Sequence, residues 1–129
     1  MEKVDAIIIG FGKGGKTLAA DLAKRNWKVA MIERSDKMYG GTCINIGCIP
    51  TKTLVHQANE TQCLTHGDKA AEKRHYTQAI DRKNVLTAML RNKNYHNLAD
   101  NPNITVHDGE ASFISGNAVS VKLANGDSL

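Results

Sequence analysis

The chain has no long apolar run. Ala6 to Ile9 is an apolar stretch too short for a signal peptide and far too short to cross a membrane. The expected location is therefore the cytoplasm, with no membrane partner. Strong charge of one sign is also missing, the net charge being +4. Arg82, Lys83, Arg91 and Lys93 gather in one segment, but without interleaved aromatic residues or a nucleic-acid motif. They read as a solvated helix face, with no nucleic-acid partner implied. There is no fourth cysteine, so the three present cannot all pair within one chain. No internal repeat is evident. With 129 residues, 41% hydrophobic and 23% charged, what remains is one ordinary globular domain or part of one.

What is present begins with a β-branched run, Val4 to Ile9, ending at Gly10. Leu18, Ala19, Leu22 and Ala23 then recur at helical spacing, predicting a helix that ends near Asn26. Lys28 to Glu33 reads as a second strand, which completes a βαβ unit. Pro50 lies near a further helix start, where a missing N–H costs little. Thr61 to His75 is polar around Gly67 and reads as a helix end or exposed connection. Ile80, Val85, Met89 and Leu90 predict an amphipathic helix from Tyr76 to Leu98, stopped at Asn101-Pro102-Asn103. Two strands follow around Ser115-Gly116-Asn117. Asn125-Gly126 signals another turn, with too little chain after it for a return strand. A doubly wound sheet needs more strands than these. The chain is thus expected to be the N-terminal piece of a longer protein.

Gly10-Phe11-Gly12-Lys13-Gly14-Gly15 satisfies GxGxxG, with Ala19 a further small residue on the helix. The pattern is weak alone, but here it joins a predicted strand to a predicted helix. Gly10 permits the tight turn, Gly12 admits a pyrophosphate to the backbone, and Gly15 lets helix pack on strand. The helix N-terminus offers free N–H groups to the phosphates. Glu33 closes the second strand, where a carboxylate accepts hydrogen bonds from an adenosine ribose. Its charge disfavours a 2′-phosphate, hence NADP, at this site. The loop leaves FAD and NAD both open.

Cys43 and Cys48 stand in "GGTCINIGCIPTK". Fully extended, the steps between them would span roughly 17 Å, whereas a disulfide needs Cα atoms about 4.4–6.8 Å apart. The intervening loop must coil back, and Asn45 and Gly47 tolerate the backbone this demands. Cys48 lies near a helix N-terminus, whose dipole favours a thiolate, and Lys52 adds positive charge one turn on. A zinc site would need His56, Cys63 or His66 as well, and no second ligand pair appears at regular spacing. Iron–sulfur ligation would need a cysteine where Thr51 stands. A redox pair is the favoured reading, and no metal ligands are assigned.

"GFGKGGKTLA", "MIER", the cysteine motif and "DGEASF" together resemble the start of a flavin-dependent pyridine nucleotide–disulfide oxidoreductase. That family includes glutathione reductase, dihydrolipoamide dehydrogenase and mercuric reductase. "MYGGTCINIGCIPTKTLVH" and "LRNKNYHNLADNPNI" are most similar to its reactive-chlorine-resistance branch. The resemblance implies an α/β, Rossmann-like FAD-binding domain (βαβ start, helical redox segment, β-hairpin), incomplete at its C-terminus. Residues 1–129 would be the N-terminal part of that domain, without the NAD(P)-binding and C-terminal dimerisation domains.

By the same resemblance the dinucleotide is FAD. Gly10, Gly12, Gly14 and Gly15 would hold its pyrophosphate, Glu33 its ribose, and the backbone of Glu110 and Ala111 its adenine. Gly41, Thr42 and Cys43 would line the path to the flavin ring, with Lys52 beside it. NAD(P)H, bound by a missing domain, would reduce the flavin. The flavin would open a Cys43–Cys48 disulfide, leaving Cys48 a thiolate and Cys43 the thiol that meets the substrate. The implied substrate is a small oxidant or metal ion such as hypothiocyanous acid, Cu(II) or Hg(II). A dithiol such as lipoamide is the alternative, and an NAD-binding module with structural zinc is a non-enzymatic rival. The family's acid–base histidine belongs to a partner subunit's C-terminal domain, implying a homodimer. None of His56, His66, His75, His96 or His107 matches it. The piece alone is expected to be inactive.

Overall fold

The computed structural model describes residues 2–123 and 125–129. Strand β1 (Ala6–Ile9) is built from the isoleucine run and ends at Gly10, whose φ of +98° only glycine adopts freely. Helix α1 (Lys13–Lys24) follows, with Ala19 and Ala23 buried against the sheet. Asn26, at φ 63°, turns the chain out of it, where the sequence places its end. Strand β2 (Val29–Glu33) runs parallel to β1, with Ile7 opposite Ala30 and Ile9 opposite Ile32. Its other edge takes β3 (Ile104–Ser115), also parallel. Val29, Ala30, Met31 and Ile32 are therefore all buried, as a strand covered on both faces requires. Strand β4 (Ala118–Leu123) closes the order β1-β2-β3-β4 by pairing antiparallel with β3.

Between β2 and β3 the chain makes a long helical crossover. A single 3₁₀ turn (Asp36–Met38) leads to α2 (Thr42–Asn45), α3 (Cys48–Thr65) and α4 (Lys69–Ala99). The core gathers Phe11, Ala19, Ala23, Val29, Met31, Tyr39, Leu98 and Ile104. Phe11, Val29 and Met31 are its fully buried large side chains, each stabilising the fold by about 1.5–3 kcal/mol through apolar burial. The Tyr39 ring packs on Phe11 at 5.2 Å between centroids and on Tyr95 at 4.7 Å. The glycine loop, the cysteine segment and α4 thus share one aromatic contact.

Two expectations need correction. The polar stretch Thr61 to His75 does hold a helix end, that of α3 at Thr65, but no long connection follows it, because α4 starts at Lys69 rather than Tyr76. Only a tight turn separates them, with His66 at φ 47° and Gly67 at φ +88°. Asp68 caps the second helix, accepting from the Ala70 and Ala71 N–H groups at 2.9 and 3.3 Å. The return after Asn125-Gly126 is also present in minimal form. Ser128 bridges Lys122, and the N–H groups of Val121 and Leu129 bond each other's carbonyls at 3.1 and 3.0 Å.

Candidate active site

Three features shape the glycine loop. The Gly10 N–H donates to the Ile32 carbonyl at 2.7 Å, so the turn hangs from β2. A Cβ on Gly15 would stand 2.7 Å from the Gly10 oxygen and 2.9 Å from Ile8 Cγ2, which is the helix-on-strand contact expected of that position. Gly12 is the N-cap of α1 without a side-chain cap, and no heavy atom lies within 4 Å of a Cβ built on Gly10, Gly12 or Gly14. The α1 N-terminus therefore faces open space lined by backbone, which suits a pyrophosphate.

Glu33 sits where the sequence puts the ribose carboxylate, and its own ties orient it. Oε2 accepts the Phe11 N–H at 2.9 Å, and Oε1 accepts the Ser35 N–H at 3.3 Å. The acid is thereby set against the glycine loop, with acceptor capacity left for ribose hydroxyls. Gly10, Glu33, Glu110 and Ala111 line one cavity of about 280 Å³, together with Ile9, Ile32, Arg34 and Gly109. Four residues assigned to FAD from three separate parts of the sequence thus meet around one space. Gly109 escaped the sequence analysis. A Cβ there would lie 2.6 Å from the Lys122 oxygen, so only glycine lets β4 cross β3 at the cavity rim.

The cysteine segment is seated on this loop. Gly41, at φ +81°, packs so closely that a Cβ on it would stand 2.7 Å from the Gly12 Cα. Thr42 and Cys43 open the short helix α2, and Cys48 opens α3, both cysteines exposed. The Thr42 carbonyl accepts N–H groups from Ile46 and Gly47, each at 2.9 Å, which folds the segment back as the pair requires. Both cysteines are present as thiols. A hydrogen bond with Cys48, then burial, then the Cys48 charge push the Cys43 thiol above its ordinary value, with Lys13 opposing. Cys48 holds the α3 N-terminus.

Lys52 lies one turn along α3 from Cys48, exposed on the same side of the helix. Tyr39 donates its hydroxyl to Asp108, and burial followed by that bond pushes its phenol up. His56, His96 and His107 pair locally with Glu60, Asp100 and Glu2. Among the described residues no three His, Cys, Asp or Glu side chains converge as a metal site, so the zinc alternative finds no donor set. No described helix is long and apolar enough to cross a membrane.

A βαβ unit with a bare glycine loop and a strand-end acid, and two exposed cysteines on the segment packed against that loop, has the architecture of a dinucleotide-binding fold. The sequence profile of the pyridine nucleotide-disulphide oxidoreductases matches residues 4–127, and the chain belongs to that family. Its members use FAD and NAD(P)H. The chain is 56% identical over 127 residues to the probable pyridine nucleotide-disulfide oxidoreductase RclA of Escherichia coli K12, covering 98% of this chain and 26% of the relative. It is 37% identical over 123 residues to a mercuric reductase of Bacillus cereus, covering 91% of this chain and 19% of that one. Among solved structures, the Cu(II) complex of the HOCl-induced flavoprotein disulfide reductase RclA from E. coli superposes with a TM-score of 0.86 at 55% identity, over 100% of this chain and 26% of its own. The chain spans about a quarter of the length of these RclA relatives.

Proposed function

We propose that this chain is the N-terminal part of the FAD-binding domain of an RclA-type flavoprotein disulfide oxidoreductase, with Cys43 and Cys48 as its redox pair. The observation that carries the reading is the seating of Gly41 on Gly12, which joins the nucleotide cradle to the thiol segment by direct backbone contact. The residues present fit FAD: Gly10, Gly12, Gly14 and Gly15 for the pyrophosphate, Glu33 for the ribose, Glu110 and Ala111 for the adenine. Gly41, Thr42, Cys43 and Lys52 would line the flavin side of that site. Bound FAD would supply the two-electron relay between a nicotinamide and the sulfur pair.

The chain's own residues divide the remaining work. Cys48, at the α3 N-terminus, is assigned as the sulfur that would interact with the flavin when the disulfide opens. Cys43, exposed at the start of α2, is assigned as the sulfur that exchanges with substrate, as its thiolate. The substrate we infer is a small oxidant or metal ion of the hypothiocyanous acid, Cu(II) or Hg(II) type. An RclA structure is a Cu(II) complex, and mercuric reductases are among the relatives. The nicotinamide-binding and dimerisation domains, and the acid–base histidine, are assigned to further sequence of a cytoplasmic homodimer.

The test uses the full-length protein with NADH or NADPH and each oxidant in turn. A flavin spectrum, no stoichiometric metal, and cofactor oxidation abolished by Cys43→Ser are expected. Absence of bound flavin, or turnover unaffected by Cys43→Ser, would overturn the assignment.

A further inference from the structure

We propose that Arg91, on α4, is a positioning residue for the Cys43–Cys48 pair, a role that rests on the redox reading above. Asn45 lies between the two cysteines, at the end of α2. Its side-chain amide donates to the Tyr39 and Gly41 carbonyls, both at 2.9 Å, tying the incoming segment to the turn that carries Cys43. Its Oδ1 accepts the Arg91 Nε–H at 2.9 Å, from a residue 46 positions away.

That last bond adds to the two carbonyl bonds in fixing how the amide points. The two ends of an asparagine amide are alike in shape and opposite in hydrogen bonding. Flipped, Asn45 would set its oxygen against two carbonyl oxygens. An obligate donor such as Arg91 on the oxygen side makes the flipped state unfavourable at both ends. Arg91 is half-buried, as a fixed bond requires. Arg91 is bonded to the Asn45 amide, between the two cysteines in sequence, and so works through the shape of the turn.

The consequence falls on disulfide closure. With glutathione disulfide as oxidant, the Cys43 and Cys48 sulfurs form one S–S bond while the glutathione S–S bond breaks. The two thiol protons pass to two molecules of reduced glutathione. A turn already coiled back brings the thiols together with little further loss of chain freedom. Without Arg91 the amide keeps its two carbonyl bonds but loses its tie to α4, so the turn loosens and closure is less favourable.

The experiment equilibrates the full-length FAD-loaded protein in glutathione buffers and measures the Cys43–Cys48 disulfide by alkylation and mass spectrometry. Arg91→Ala should lower the equilibrium constant for closure about tenfold, a shift of about 30 mV toward less negative potential. Arg91→Lys keeps the charge without an N–H at the Nε position and should shift the same way. It serves as the test if the alanine variant does not fold. Asn45→Ala should match Arg91→Ala, and the double variant should go no further. Arg82→Ala removes a bond of 2.5 Å to Gln57 elsewhere on the same helix pair and should stay within twofold of wild type. An unchanged constant in both Arg91 variants, additive effects, or an equal shift in Arg82→Ala would overturn the positioning role. A wild-type protein that forms no Cys43–Cys48 disulfide would overturn the redox reading itself.

Discussion

Replacing Gly41 by alanine sets a methyl group 2.7 Å from the Gly12 Cα, 3.5 Å from its carbonyl carbon and 3.6 Å from its nitrogen. Carbon pairs rest at about 3.5–4.0 Å, so the two segments must part by roughly 1 Å. The obstacle is backbone, which no rotamer change relieves. The left-handed φ of +81° adds about 1–2 kcal/mol, and overpacking of this kind costs about 1–3 kcal/mol. A loss of about 2–5 kcal/mol is large against the usual total of about 5–15. Gly12→Ala touches the other side of the same contact with the opposite outcome. Its φ is −74° and nothing lies within 4 Å of the new carbon. The fold should lose at most about 1 kcal/mol from the poorer N-cap. The methyl would nevertheless occupy the approach of the pyrophosphate. Loss of one charge-assisted hydrogen bond, about 1.5–3 kcal/mol, weakens FAD binding about 10- to 150-fold. Urea unfolding and FAD titration of the full-length apoprotein separate the two variants. Gly41→Ala should lower both the midpoint and the affinity, and Gly12→Ala the affinity alone. Wild-type midpoint and affinity in Gly41→Ala would show that the two segments are not in contact, and wild-type affinity in Gly12→Ala that the phosphates lie elsewhere.

Other outcomes follow from the same geometry. Glu33→Ala removes the acceptor that the glycine loop orients, so FAD affinity measured by apoprotein titration should fall about tenfold or more; equal affinity would refute the ribose role. Cys43→Ser should leave Cys48 as a thiolate and give the flavoprotein a long-wavelength absorbance band without reduction. Cys48→Ser should lack that band, and the reverse pattern would exchange the two roles. Because the Cys43 thiol is raised by its neighbour, its thiolate appears only at higher pH than in an unstructured cysteine peptide. Alkylation of the reduced protein by iodoacetamide, followed peptide by peptide, should therefore rise late with pH at Cys43. Cys48→Ser should move that curve to lower pH, and an unmoved curve would exclude Cys48 as the cause.

The sequence carried the parts of the site that local chemistry imposes. Gly10, Gly15 and Glu33 follow from strand, turn, helix and strand in order, and each stands where that logic places it. Gly41 and Glu110 were reached only through resemblance, because their partners, Gly12 and the cavity wall, lie far away along the chain. Phe11 was passed over as a filler between glycines, yet it is the fully buried plug under the loop. Tyr39–Asp108 and Arg91–Asn45 join residues with no local pattern between them. The α3–α4 hairpin was misread for a different reason. Its buried residues include Thr65, Ala79 and Thr87, small and partly polar, while Val85 and Met89 face solvent. An apolar periodicity taken from the large residues therefore tracks the wrong face of α4.

Strand β3 serves two sheets without a break. It pairs in parallel with β2 as far as Asp108, opposite Glu33, and antiparallel with β4 from Gly109 onward. Asp108, the neighbour of Glu33, and the cavity residues Glu110 and Ala111 thus lie close together on one strand. For recombination between relatives, this makes the hairpin tip and the strand crossing unequal junctions. A chimaera joined at Gly116, where a Cβ would meet nothing within 4 Å, inherits an intact cavity from one parent. One joined at Gly109 takes the cavity wall at Glu110 and Ala111 from one parent and Gly10 and Glu33 from the other. Functional crossovers should accumulate at the tip and be depleted at the crossing.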